Sequence, residues 1–325
     1  MCSATPIFLP EFNKPGMPRH LLSLRDYSGD EIRRLIEAAL ILKKTRPMGG
    51  FSDALRGKNI AMIFEKPSTR TRASFTVAAL ELGASTVYYR KDELQLVRGE
   101  PVKDVIRVFS RYHHLVAARV YSHSTLEEMA EYSRIPVVNL LSDVYHPLQS
   151  LADYMTLLEK KGRLEGLKIA FIGDGRDNVF NSLAIAGAKL GVEVRVATPE
   201  GYDPNPRLLG GVEPRVYRDP CEAVKGVDAV YTDVFVSMGQ EGEREKRLRD
   251  FLPRYRVDRG IIECSGRDDV LFMHCLPAHR GEEVTDDVIE GEWSVVFDQA
   301  ENRLHTSKAV LLYLLGGLTG LGKVE

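Results

Sequence analysis

The chain has no apolar run approaching the ~20 residues that a membrane span requires. Its N-terminal stretch, MCSATPIFLPEFNKPGMPRH, has no basic segment followed by an apolar one, so no secretory signal is expected. A surplus of one charge is missing too. The 44 Lys and Arg against 46 Asp and Glu leave a formal net charge of −2, which predicts neither a nucleic-acid surface nor an acidic disordered tail. Cysteine is scarce: Cys2, Cys221, Cys264 and Cys275 lie far apart without CxxC spacing, and are expected to be free thiols in a reducing cytosol. No His, Cys and carboxylate spacing suggests zinc, and no acidic run suggests a calcium loop. A Walker-type GxxxxGK[ST] loop, short-period repeats and low-complexity segments are absent as well. A soluble cytoplasmic globular protein is expected, and 325 residues suffice for two cores of ~150 residues each.

What is present is an alternation of two periodicities. YSGDEIRRLIEAALILKK opens with a capping box, Ser28 and Glu31, and carries apolar residues at helical spacing. NIAMIF (59–64), STVYY (85–89), LVAARVY (115–121) and IPVVNLL (135–141) read as strands. Between them SFTVAALELG, EPVKDVIRVFSRY and STLEEMAEYS read as helices, the last with a second capping box at Ser124 and Glu127. A long helix begins near HPLQ and ends around 160–162. LKIAFIG, VEVRVATP, DAVYTDVF, VLFMHCLP and SVVFD (294–298) supply five more predicted strands, with the helix NVFNSLAIAGAKLG after the first. This rhythm predicts an α/β protein of two doubly wound parallel-sheet domains with an active-site cleft between them. The expected division is 1–150 and 151–302, with an apolar C-terminal helix (303–325) packing back on the first domain.

In open parallel sheets ligands gather beyond the carboxyl ends of the strands. The polar clusters of this chain stand there. STRTR (68–72) follows IAMIF at a helix start, where unpaired backbone N–H groups and hydroxyls favour an anion and arginine offers a planar fork to phosphate. Arg119 interrupts an apolar run, which fits either a side chain snorkelling to the surface or an anion-paired one. His146 and Gln149 share one face of a helix start and could donate to a carbonyl oxygen and an amide respectively, or merely cap it. GDGRDN resembles a dinucleotide turn but lacks a third glycine, and the strand after it ends without the acidic ribose partner. Asn178 is better read as a contact to a small ligand. Asp233, closing a strand before Ser237-Met238-Gly239, could hold a substrate ammonium. His274 and Cys275 are adjacent on a strand and point to opposite faces, so Cys275 reads as a ligand-contacting thiol rather than a His-activated nucleophile. Taken together, the residues describe group transfer from a phosphate-bearing donor to an amine.

FEKPSTRTR, QLVRGEP, HPLQ, GDGRDN, DVFVSMGQE, HCLPAHRGEEV and ENRLHT stand in the order and spacing of the ornithine carbamoyltransferases, which the chain resembles from residue 19 onward. Aspartate carbamoyltransferases share STRTR and HPxQ but lack SMG and HCLP. The resemblance implies carbamoyl transfer from carbamoyl phosphate to the side-chain amine of L-ornithine, giving L-citrulline and phosphate without a cofactor. It implies that Ser68, Thr69, Arg70 and Thr71 hold the phosphate, with Arg119, His146, Gln149 and Arg303 completing the donor site. Gln95 would reach in from a neighbouring subunit of a homotrimer or a multiple of trimers. Asn178, Asp233, Ser237 and Met238 would bind ornithine, and Cys275 with Leu276 would line the reacting centre. Among these, Arg70, Arg119, His146, Asp233 and Cys275 would act in catalysis. Val97 and Phe235 depart from the family's usual glycine and tryptophan. Alternatives are a carbamoyltransferase using putrescine or an acylated ornithine, a nucleotide-binding dehydrogenase, and a regulatory paralogue without activity.

Overall fold

The computed structural model describes residues 18–46, 52–237 and 239–316. They fall into two compact units, one of the described residues within 18–22, 37–140 and 304–316, the other of those within 23–36 and 141–303.

The chain enters α1 (Gly29–Thr45) through the expected capping box: Ser28 N donates to Glu31 Oε2 at 2.8 Å and Glu31 N to Ser28 Oγ at 3.1 Å. The first unit then alternates β1 (Asn59–Phe64), α2 (Thr69–Glu81), β2 (Ser85–Arg90), α3 (Val102–Tyr112), β3 (Leu115–Arg119), α4 (His123–Tyr132) and β4 (Val137–Leu141). The sheet order is β2-β1-β3-β4, and β1 pairs in parallel with both neighbours. β1 is buried from Ile60 to Phe64, as an uninterrupted apolar run in a sheet covered on both faces should be. Ala61, Ile63, Val116 and Ala118 pack on one face with Ile106, Leu126 and Met129 from the helices. The second capping box does not form. α4 begins earlier, at His123, and the Ser122 and Ser124 hydroxyls bond each other at 2.7 Å.

The second unit holds α5 (Pro147–Lys161), β5 (Lys168–Ile172), α6 (Asn178–Leu190), β6 (Glu193–Ala197), β7 (Arg215–Tyr217), α7 (Pro220–Val224), β8 (Ala229–Thr232), α8 (Arg244–Phe251), α9 (Arg259–Glu263), β9 (Leu271–His274), α10 (Asp286–Ile289) and the first part of α11 (Val296–Leu315). Its sheet runs β7-β6-β5-β8-β9, all pairs parallel. The order reverses between β5 and β8, which makes the loops after these strands the natural ligand position. Phe171 meets Phe180 and Tyr231 on one face at ring separations of 5.3 and 5.6 Å.

Several expectations need correction. α5 lies wholly in the second unit, so the chain changes units at 140–141 rather than in mid-helix at 150. A break at 150 would have cut a continuously buried stretch, Pro147 to Leu157. SVVFD is not a strand: Ser294 makes a single bridge to Phe272, and Val296 already starts α11. Three β-branched or aromatic residues mimic a strand there, but the backbone turns helical once Gln299 N reaches Val295 O at 2.9 Å. The edge strand β7 was not anticipated. The cysteines are not all free, for Cys221 and Cys264 form a disulfide with Cα atoms 5.3 Å apart. They are 43 residues apart in sequence and meet because α7 and α9 pack together. Cys275 is a free thiol, and Cys2 lies outside the described residues.

α11 belongs to the second unit up to Arg303 and to the first from Leu304. In the first unit its Lys308 is buried against Glu81, which also takes Arg46 at 3.0 Å. Burial pushes the Glu81 carboxyl up, but the two cations outweigh it and hold the group below the usual glutamate range.

Candidate active site

In the first unit the residues predicted to bind an anion, Ser68 to Thr71 and Arg119, collect at one sheet end. Ser68 precedes α2 in an extended conformation, and its hydroxyl does not cap the helix. Thr69, Arg70 and Thr71 form the first turn, whose backbone N–H groups have no partners within the helix. Register places Phe64 beside Arg119, and Glu65 N donates to Arg119 O at 2.9 Å, so the two arginines flank one junction. Arg70 Nε is buried with no hydrogen-bond partner among the described residues. The arginines of STRTR diverge, because Arg72 stacks on the Tyr88 ring at 3.8 Å. Lys66 and Lys91 lie over the Tyr121 ring near this end, adding positive charge. Gln95 stands apart, on an exposed turn after β2 where it accepts from Arg98 at 3.4 Å. Val97 follows it without a positive φ, whereas Gly99 has φ of 91°, so valine there adds no backbone strain.

In the second unit the residues cluster on the loops after β5, β8 and β9. Asp177 caps α6, its Oδ1 accepting from Val179 N and Phe180 N at 2.7 and 3.2 Å. Its Oδ2 accepts from the Ser237 hydroxyl at 3.2 Å, which holds the loop after β8 beside Asn178. Asp233 directly follows β8 and accepts from Val234 N at 2.7 Å and from the Cys275 thiol at 3.1 Å. Burial pushes both carboxyls up, and the charges of Asp233 and Asp174 push Asp177 further. Among the described residues neither is ion-paired with a lysine or arginine. A neighbouring carboxylate, Asp174, is instead neutralised by buried Arg247, whose Nε donates to Phe235 O at 2.6 Å. Phe235 is buried and stacked on Phe251, so the residue replacing the usual tryptophan is a packing element. Met238 lies outside the described residues.

Leu276 has φ of 56°, a left-handed backbone that a branched side chain normally avoids. The His274 ring holds it there: Leu276 N donates to Nδ1 at 2.9 Å. Since Nδ1 accepts, the ring proton sits on Nε2 and is donated to Glu283 Oε1 at 3.1 Å. His274, the last residue of β9, and Cys275, just beyond it, therefore serve different partners. Burial and the Asp233 charge push the Cys275 thiol well above its ordinary range, which favours the neutral thiol over a thiolate. The fold also brings ligand atoms of Asp233, His274 and Cys275 within 4.8 Å, a grouping invisible in their spacing. Both ring nitrogens and the sulfur are already engaged, so this donor set is wired as a hydrogen-bond network.

His146 immediately precedes α5, and its N–H donates to Ser182 Oγ at 2.8 Å. Gln149 is fully buried, and its amide N–H₂ donates to Asp153 at 2.9 Å. The expectation that this N–H₂ points at a ligand amide is thus corrected, because the end left over is the oxygen. Arg303 is buried in α11, and its charge acts on Asp153. The glycine of GDGRDN has a packing reason: a Cβ on Gly175 would lie 2.6 Å from Tyr202 O and 2.9 Å from Pro204 N. A cavity of about 700 Å³ opens nearby between Asp174, Tyr202, Lys246 and Arg247, and none of the predicted site residues lines it. The unneutralised pair Asp233 and Asp177 marks the chemistry better than this open, internally paired hollow. Asp153, Asp177 and Gln299 have partners distant in sequence that spacing does not reveal, and Glu283 carries no local signal that pairs it with His274.

Residues 19–159 match the family described as "Aspartate/ornithine carbamoyltransferase, carbamoyl-P binding domain", and residues 165–314 match its "Asp/Orn binding domain". The ornithine carbamoyltransferase of Ignicoccus hospitalis is 52% identical over 307 residues, 91% of this chain and 98% of its own length. The anabolic ornithine carbamoyltransferase of Pyrococcus furiosus is 50% identical, covering 92% and 97%. Among solved structures, ornithine carbamoyltransferase from P. furiosus superposes with a TM-score of 0.88 at 50% identity, covering 93% of this chain and 98% of that one. The Thermus thermophilus enzyme gives 0.84 at 44% identity, covering 92% and 99%. Motif order, fold and these likenesses agree: the chain belongs to the aspartate/ornithine carbamoyltransferase family, on its ornithine carbamoyltransferase branch.

Proposed function

We infer that the two sets of side chains divide one reaction between its donor and its acceptor. The chain transfers the carbamoyl group of carbamoyl phosphate to the side-chain amine of L-ornithine, giving L-citrulline and phosphate, in arginine metabolism. Arg70, with Ser68, Thr69, Thr71 and Arg119, grips the phosphate and stabilises charge as it leaves. His146 and Arg303 act on the same donor, His146 at its carbonyl oxygen, while Gln149 takes the carbamoyl nitrogen. Asn178, Asp233, Ser237 and Met238 hold ornithine, and Cys275 with Leu276 lines the reacting centre. The ornithine side-chain amine resembles lysine, with a reference pKa of about 10.4, so only its neutral fraction attacks, oriented by Asp233.

The carrying observation is Arg70, whose buried Nε has no partner among the described residues, at an open helix start beside Arg119. Gln95, exposed on its turn, is available to complete the site of a neighbouring subunit in a homotrimer or a multiple of trimers. The working location is the cytoplasm. A colorimetric assay for carbamoylated product, run with ornithine, putrescine, N-acetylornithine and aspartate, tests the reading. Product with ornithine alone is expected, and product with another amine but none with ornithine overturns it.

A further inference from the structure

We propose that Asp153 is a positioning residue that fixes the Gln149 amide with its oxygen free, so that the site recognises the N–H₂ of the carbamoyl group. This rests on the assignment of Gln149 to the donor. Asp153 is fully buried on α5, one turn beyond Gln149. Its Oδ1 accepts from Gln149 Nε2 at 2.9 Å and from Gln299 Nε2 at 2.6 Å, and the Tyr231 hydroxyl lies 3.3 Å from both carboxylate oxygens. Gln299 cannot turn over, because its Oε1 accepts from His274 N at 3.0 Å. Its N–H₂ therefore always faces Asp153, and a third donor, Gln149, completes the set around one carboxylate.

Gln149 Oε1 is buried and has no hydrogen-bond partner among the described residues. A buried amide oxygen without a donor is unfavourable unless a ligand supplies one. Reversing the amide would turn that oxygen onto the Asp153 carboxylate, which repels it, and would lose a charge-assisted hydrogen bond. The carboxylate thus selects the orientation that presents an acceptor. Carbamoyl phosphate brings an N–H₂ donor to that acceptor, whereas acetyl phosphate, of nearly the same shape, brings a methyl group.

The orientation depends on the charge of Asp153. Burial raises its carboxyl to about 7, against the opposing hydrogen bonds of Gln149, Gln299 and Tyr231 and the charge of Arg303. Besides these, Tyr154 and Cys275 are the titratable groups that sense Asp153, and burial pushes both well above the neutral range. When the carboxyl takes a proton, one oxygen becomes a donor and the preference for the Gln149 N–H₂ is lost. Discrimination should therefore fall as pH drops through 7.

The test compares KM for carbamoyl phosphate with the inhibition constant of acetyl phosphate, whose ratio cancels effects common to both phosphates. Asp153→Asn puts one acceptor where three donors converge, so the amide can face either way. The expected result is a rise of about tenfold or more in KM for carbamoyl phosphate, with acetyl phosphate inhibition nearly unchanged. An equal change in both constants, or no change, means that Asp153 is structural only and overturns the proposal. In the wild type the same ratio should worsen between pH 8 and pH 6, and a flat ratio overturns the proposal even if the variant does not fold. Gln149→Ala separates the two levels. If it leaves the ratio unchanged, the assignment of Gln149 fails. If it collapses the ratio while Asp153→Asn does not, only the role of Asp153 fails.

Discussion

The Cys275 thiol donates to Asp233 Oδ1 across 3.1 Å, coupling the ends of two neighbouring strands, β8 and β9. Burial, then the Asp233 charge and its acceptance of the S–H hydrogen, hold the sulfur protonated. Iodoacetamide should accordingly label Cys275 slowly at pH 8. Asp233→Asn removes the charge, and each unit by which the thiol pKa falls raises the thiolate fraction about tenfold. Labelling followed by peptide mapping at Cys275 reads this directly. Equal rates in wild type and variant would show that burial alone protects the sulfur.

Arg70 is half-buried, and its Nε has no hydrogen-bond partner among the described residues, so the fold should not depend on it. Arg70→Ala should lower turnover by about 100- to 1000-fold, the usual effect of removing one group that stabilises developing negative charge. The thermal midpoint should stay within a degree or two of wild type, consistent with a surface-type substitution. Near-normal citrulline formation by this variant would sink the phosphate assignment.

The Cys221–Cys264 bridge closes 43 residues that include β8, the Ser237 loop and α8. Loop-closure entropy for that length corresponds to about 4 kcal/mol of stability. The double substitution Cys221→Ser, Cys264→Ser should lower the thermal midpoint by about 10 °C. Activity at 25 °C should be retained, since neither sulfur bonds a site residue. An unchanged midpoint, with or without reductant, would refute the contribution assigned to the bridge.

Local chemistry was legible in the sequence. NIAMIF was read correctly because a buried parallel strand is one apolar run, and Ser28 with Glu31 because a capping box closes within four residues. STRTR raises the expectation of an anion site from local sequence in the same way, whereas only tertiary structure shows that Arg72 turns to Tyr88. What stayed hidden depends on distant partners. The donors that converge on Asp153 are 4, 78 and 146 residues away, and Asp177 meets Ser237 across 60. The strand β7, three residues at a sheet edge with Arg215 and Val216 exposed, has too little pattern to signal itself. SVVFD misled for the opposite reason, since its local preference is overridden where α11 starts.

The chain passes from one compact unit to the other at 22–23, 36–37, 140–141 and 303–304, twice within a helix. Neither unit is therefore a single uninterrupted stretch that a gene fragment could encode. A polypeptide stopping at residue 141 would contain the strands of the four-stranded sheet yet lack Lys308, leaving buried Glu81 with Arg46 as its remaining cation among the described residues. In modular terms the two halves are inseparable by truncation. A donor-binding half and an acceptor-binding half could be exchanged between relatives only by grafting several segments at once.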